Sequence, residues 1–320
     1  MYAKALIYKS NPNLIYLVKI SIIVFSFYFI YSKLAHNTHL STSKFWNILS
    51  SSGIISIKSL IIITFLSFLN WFLEILKWKY LVHTVKNISL KRATEQTLGA
   101  HTASVFTPNR IGDYGAKALY FPPHNRARIM GLNGVGNAAQ MLITTFFGSI
   151  GLIFLTSKFP LNIDFKTLHW YQYLIFGLTC IGFVFLIKNY AKPETWILKI
   201  KLFLSSISVN LFGKTLLFSL IRYLTFSFQF YILLQLFHTD ISYLNAMMVI
   251  SSMYLLASIL PSIFVFDVVL KGSIAVYLFS FFNINGAIVL SCITIMWLFN
   301  VVLPTLFGSY FVMTFKGPKS

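Results

Sequence analysis

Six runs of mostly apolar residues, each long enough to cross a bilayer, divide this chain. A membrane helix needs about 20 such residues. The runs cover 14–32, 59–81, 131–156, 169–187, 215–237 and 286–315. The first is long for a signal-peptide core and lacks a small-x-small cleavage site, so it reads as an anchor. Its one charge, Lys19, can snorkel. Composition agrees: 57% of the 320 residues are hydrophobic and 10% charged. Soluble domains run near roughly 45–50% apolar and about 25% charged, which excludes a water-soluble globule here. The same numbers exclude intrinsic disorder.

Two further stretches are awkward as spans. Residues 93–121 carry Glu95, Gln96, His101, Arg110, Asp113 and Lys117 around Pro108. Residues 243–282 are apolar but broken by Pro261 and Asp267. Each reads as two half-helices that enter the membrane and return, although 243–282 also fits two full spans. Irregular backbone at that depth survives only where protein or a wet cavity covers it. The expected fold is therefore all-α, with six spans and two re-entrant hairpins.

The chain holds 26 Lys+Arg against 7 Asp+Glu, a formal charge of +19. In a soluble protein this would point to nucleic acid. With a cytoplasmic N-terminus, 16 basic residues fall inside, 5 outside and 5 within spans or hairpins. That is the positive-inside pattern, so most of the charge encodes orientation and no nucleic-acid partner is expected. Both termini are placed in the cytoplasm and the protein in the cell membrane.

The awkward stretches resemble each other. Ala103-Ser104 precedes Asp113 as Ala257-Ser258 precedes Asp267, and each Asp precedes a lysine, Lys117 or Lys271, by four residues. The offset of 154 also carries the first span onto the fourth, the second onto the fifth and the third onto the last. One domain of two halves, about 14–156 and 168–315, is expected. Three spans per half would invert the second half, as in transporters whose broken helices meet near the midplane.

Charges at membrane depth are costly and are functional candidates. Asp113 with Lys117, and Asp267 with Lys271, would share a helix face and neutralise each other. Either the pairs only brace their hairpins, or the lysines join Arg110 and Arg222 in a cationic site oriented by the two aspartates. Such a site suits phosphate, which Arg grips in bidentate fashion and Lys as a point charge. Pro108, Gly112 and Pro261 are the expected hairpin breaks, where freed N–H groups also favour anions. Glu74 and Lys77 read as an interfacial pair, and His101 as a hydrogen-bonded structural histidine. Cys180 and Cys292 lie in apolar runs and read as small core residues. His36 and His39 have no third ligand nearby, so no metal or other cofactor is expected. No hydrolytic motif or phosphate-binding loop is present, so no enzymatic activity is expected.

At Thr107-Pro108-Asn109-Arg110-Ile111-Gly112-Asp113 the chain resembles the flippase-like family, the transmembrane region of lysylphosphatidylglycerol synthases and its stand-alone relatives. That family typically has Pro-Gly-Arg-x-Gly-Glu followed by a basic residue. Here Asn109 replaces Gly, Asp113 replaces Glu, and Lys117 is the basic position. Asn70-Trp71 and the stretch from Lys77-Trp78 to Leu81 resemble the family's second span. The second hairpin keeps Pro261, Asp267 and Lys271-Gly272 but has Phe264, Phe266 and Val269 at flexible positions. The resemblance implies movement of a membrane lipid between leaflets. Longer relatives add a soluble domain that transfers lysine to the lipid. Residues 1–320 hold no such domain, so aminoacyl transfer is not expected.

The leading expectation is thus a flippase for an anionic lipid or a polyprenyl phosphate, acting as a monomer or a homodimer. Two rivals stand beside it. An intramembrane polyprenyl-pyrophosphate phosphatase would need a Ser-Arg pair where Asn109-Arg110 stands. The other rival is a non-transporting scaffold of envelope synthesis.

Overall fold

The computed structural model describes residues 12–35, 45, 49–50, 52–107, 110–159, 193–259 and 266–317. Among these, every regular element is helical. The helices are α1 (Pro12–Ala35), α2 (Ile57–Val82), α3 (Leu90–Ser104), α4 (Gly112–Ala118), α5 (Pro123–Lys158) and α6 (Pro193–Ser205). They continue with α7 (Val209–Leu236), α8 (Tyr243–Ile259), α9 (Phe266–Ser280), α10 (Gly286–Trp297) and α11 (Leu303–Met313). A π-helical turn, Leu298–Val302, joins α10 to α11 without a break in the rod.

Local chemistry sets the ends. Ser56, Ser89 and Ser208 sit extended before α2, α3 and α7, and their side chains accept from the N–H groups of Ser59, Arg92 and Leu211. Such caps satisfy donors that a helix start leaves orphaned. Pro123 occupies the first turn of α5, where its missing N–H costs nothing. With 36 residues α5 runs about 54 Å, well beyond the ~30 Å hydrocarbon layer. It begins eight residues before the expected span. The added turns carry His124, Arg126 and Arg128, so hydropathy alone could not include them.

Four helices are long and apolar enough to cross a membrane: α2, α5, α7, and the α10–α11 rod over Gly286–Met313. They match the expected spans at 59–81, 131–156, 215–237 and 286–315. Helix α1 covers the first expected span. The span expected at 169–187 lies outside the described residues, as do Cys180, His36 and His39. Both awkward stretches resolve into paired shorter helices, α3–α4 and α8–α9. The break at Pro108 and that at Pro261 lie outside the described residues.

Large apolar side chains cover much of the outside, and a set of polar side chains is buried inside beside the apolar cores. Phe146, Ile153, Phe154, Phe307 and Tyr310 are all more than half exposed. Asn70, Lys77, Gln96, His101, Lys117, Gln229 and Asn300 are buried. Lipid tolerates the first set, and the second must be satisfied by protein. The main apolar core joins α7, α8, α9 and α10 around Phe230, Leu234, Ile250, Phe279 and Cys292. A smaller core joins α2, α3 and α5 around Trp78, Ala93, Phe121 and Ile129.

Helix pairing is reciprocal. Helix α2 packs on α7, α3 on α11, and α8 on α5. Glycines allow the last two contacts. A Cβ at Gly308 would run into Leu98 O and Thr102 Oγ1 of α3, and one at Gly151 into Ser251 Oγ and Met248 O of α8. Small residues at such crossings let backbones approach closely in membranes.

Candidate functional site

The polar interior is built on one face of α2. Asn70, Glu74 and Lys77, spaced four and three apart, share that face. Arg222 of α7 meets them: its Nη1 lies 2.7 Å from Glu74 Oε2, and its Nε donates to Asn70 Oδ1 at 2.9 Å. Lys77 Nζ approaches the same Glu74 Oε2 at 2.7 Å without the angle of a hydrogen bond, and finds no other acceptor among the described residues. One carboxylate oxygen therefore faces two cations. Glu74 and Lys77 are 12% and 2% exposed, so the pair expected at the interface is covered by protein. Its partner Arg222 is 148 residues away. Sequence carries no register between distant helices, and only the coincidence of one acid and one base in two apolar spans hinted at it.

A chain of amides extends from this ion cluster. Asn70 Nδ2 donates to Asn300 Oδ1 at 2.9 Å, and Asn300 Nδ2 to Gln229 Oε1 at 3.0 Å. Gln229 Nε2 then donates to Ser67 Oγ and Ile63 O. Every carbonyl in the chain points toward Arg222 and every NH2 away from it. The aligned dipoles stabilise the guanidinium and strengthen one another. Asn300 belongs to the π turn. Such bulges concentrate at functional positions. Here the widened turn lets Asn300 O accept from Trp71 Nε1 at 3.1 Å, while Val301 O meets His101 Nε2 at 3.3 Å.

The α3–α4 turn adds the second group. Gly112 N donates to Thr107 Oγ1, and a Cβ there would press on Ala103 O and Ser104 Cα at 3.2 Å. Arg110 has φ +54°, a region that favours glycine or asparagine. It is exposed, and its Nη1 lies 3.4 Å from His101 Nδ1. A guanidinium can only donate, so Nδ1 accepts and Nε2 carries the hydrogen toward Val301 O. His101 is thereby a neutral bridge between the turn and the π bulge, with its ring edge-on to Trp71.

Helix α4 supplies the third group. Lys117 Nζ is 3.0 Å from Asp113 Oδ2 and donates to Asn133 Oδ1 at 2.8 Å. Asn133 Nδ2 in turn donates to Asp113 Oδ2 at 2.7 Å, closing a triangle with α5. The Lys117 ammonium stands 4.7 Å over the Trp78 ring, a cation–π contact. Trp78 Nε1 donates to Gln96 Oε1 of α3 at 2.8 Å. Since Trp78 follows Lys77, α2 joins both ion groups.

Arg110, Lys117, Arg222 and Asp113 are thus arranged around α2, within the first half of the chain and α7. Asp267 and Lys271 lie on α9, with side chains outside the described residues, as are Pro108 and Pro261 entirely. Sequence reading passed over Asn133, Gln229 and Asn300, met Asn70 only in the family resemblance, and took Glu74 and Lys77 as an interfacial pair without a site role. Apart from the Glu74–Lys77 pair, the available signal was amides placed in otherwise apolar spans. The described centre sets four cations, Lys77, Arg110, Lys117 and Arg222, against two carboxylates, Glu74 and Asp113. With more cations than carboxylates, it is chemically suited to holding an anion. No family model, curated protein or solved structure matches the chain.

Proposed function

We propose that this protein binds an anionic or phosphate-bearing lipid at its polar centre and moves it between leaflets, in the manner of the flippase-like family its first hairpin resembles. The observation that carries the reading is the Glu74 carboxylate, one oxygen of which faces both Lys77 and Arg222 at 2.7 Å. Glu74 occupies the position an arriving phosphate oxygen would take, and exchange of one for the other is the binding step. Arg110 and Lys117 extend the cationic path and Asp113 orients it, and the sequence repeat gives Lys271 and Asp267 as the second half's counterparts of Lys117 and Asp113. Arg222 and Asp113 retain partial exposure, which leaves a route for a head group.

Alternating access needs two halves that rock against each other. A six-span, two-hairpin inverted repeat supplies them, and element borders support it. Shifted by 154 residues, α3 would cover 244–258 and α2 would cover 211–236. Helix α8 covers Tyr243–Ile259 and α7 covers Val209–Leu236. Pairing supports it too. Helix α2 packs on its own counterpart α7, while each hairpin's first helix packs on the closing rod of the other half. In this reading both termini are cytoplasmic.

Reconstitution in vesicles with a labelled-lipid quench assay tests the proposal. Protein-dependent transfer of at least one anionic lipid is expected. No transfer across several such lipids, polyprenyl phosphates included, would defeat it.

A further inference from the structure

Helix α4 has a second face. Asp113 and Lys117 turn toward α5, whereas Ala116 lines a partly open slot of about 260 Å3 between α4, α1, α3 and α11. The slot continues past Leu119, with Gly99 and Ala103 as its α3 wall. Its lining is apolar apart from Lys19 and Tyr120, and the Tyr120 hydroxyl is engaged with Glu95 O. Ligand pockets for drug-sized molecules run about 300–1,000 Å3, so this one is small and has room for part of a hydrocarbon chain.

Lys19 gives the slot its chemistry. Its ammonium donates to Met313 O at 3.0 Å and Phe315 O at 2.8 Å, at the C-terminal end of α11. Those acceptors are neutral carbonyls, and no carboxylate pairs with Lys19 among the described residues. Among the described residues the partners of the ammonium are these two carbonyls and the Phe315 ring, whose centroid lies 6.0 Å from Nζ. Exposed Lys316 lies one residue beyond. An apolar slot ending at a cation has the polarity of a lipid with an anionic head.

We infer that the slot binds one hydrocarbon chain of a resident anionic phospholipid, whose phosphate sits on the Lys19 ammonium. Helix α1 packs on α3 and α11, and the bound chain fills the gap between α1 and α4. The lipid thus braces the first hairpin from outside. This site lies across α4 from the polar centre and does not rest on the transport reading.

The test uses the full chain in mixed phosphatidylglycerol–phosphatidylcholine vesicles doped with phosphatidylglycerol bearing a mid-chain diazirine. After irradiation, adducts are mapped by peptide mass spectrometry. Labelling is expected to concentrate on residues 16–25, 99–103 and 116–120, above the lipid-facing residues 146–154 and 307–310. Unlabelled phosphatidylglycerol competes and diacylglycerol of the same chains does not. Lys19→Gln keeps donors for the two carbonyls but loses the charge, and is expected to weaken labelling about tenfold, the worth of one charged hydrogen bond. Ala116→Trp fills the slot and removes the signal; should it misfold, the wild-type map and the competition decide. Even labelling of all lipid-facing helices, equal competition by diacylglycerol, or unchanged labelling in Lys19→Gln would overturn the assignment.

Discussion

Glu74 is the residue on which most interior charge depends. Its carboxylate answers Lys77 and Arg222 together, so Glu74→Gln leaves two cations in the protein interior without an anion. Removing one partner of a buried pair costs about 3–5 kcal/mol. A large fall in thermal stability in detergent is expected, and an unchanged melting temperature would contradict the described geometry. Asn300→Ala is milder. It removes bonds to Asn70, Gln229 and Met296 O. Side-chain hydrogen bonds within membranes average about 0.6 kcal/mol, so roughly 2 kcal/mol is expected in a chemical or steric-trap unfolding measurement. Neither effect was legible in the sequence. Glu74 and Lys77 stand near the end of an apolar run, where snorkelling is the ordinary explanation. Only the fold sets Arg222 opposite them.

At the scale of elements, apolar run length located α2 and the α10–α11 rod nearly to their ends, and α7 at its end but six residues late at its start. It did so because lipid-facing helices must be apolar over a fixed thickness. It located the start of α5 poorly, because the turns outside the hydrocarbon obey caps and proline instead. The π turn at Leu298–Val302 had no sequence signal beyond Asn300 in an apolar run and Pro304 after it. Close packing was equally hidden. Gly151 and Gly308 touch backbone or side-chain atoms of the facing helix, while Gly213 has open space beside it. Overpacking costs about 1–3 kcal/mol. Gly308→Val and Gly151→Val are each expected to lower stability by that amount, and Gly213→Val to leave stability unchanged or slightly raised, since valine has the higher helix propensity of the two. Equal effects at all three positions, read from melting curves, would contradict the reciprocal pairing of α3 with α11 and α8 with α5.

For the whole molecule, the charge surplus separates into orientation and function. With the termini cytoplasmic, as proposed, most basic residues in loops lie inside, whereas Lys77 on α2 and Lys117 and Arg222 beside it are three bases against two acids, Glu74 and Asp113. The proposed inverted arrangement assigns each loop to one side of the membrane. In a background without Cys180 and Cys292, Thr239→Cys in the α7–α8 loop is expected to react with an impermeant thiol reagent added outside whole cells. Lys86→Cys, between α2 and α3, is expected to react only after permeabilisation. The central claim is that the cationic centre carries an anionic head group. The most direct measurement is lipid transfer in vesicles by wild type and by Arg222→Gln, for one anionic and one zwitterionic lipid with the same chains. The account expects wild type to favour the anionic lipid and Arg222→Gln to lose that preference by about tenfold or more, the worth of a charge-assisted hydrogen bond. Equal transfer of both lipids by wild type, or an unaltered preference in a folded Arg222→Gln variant, would contradict it.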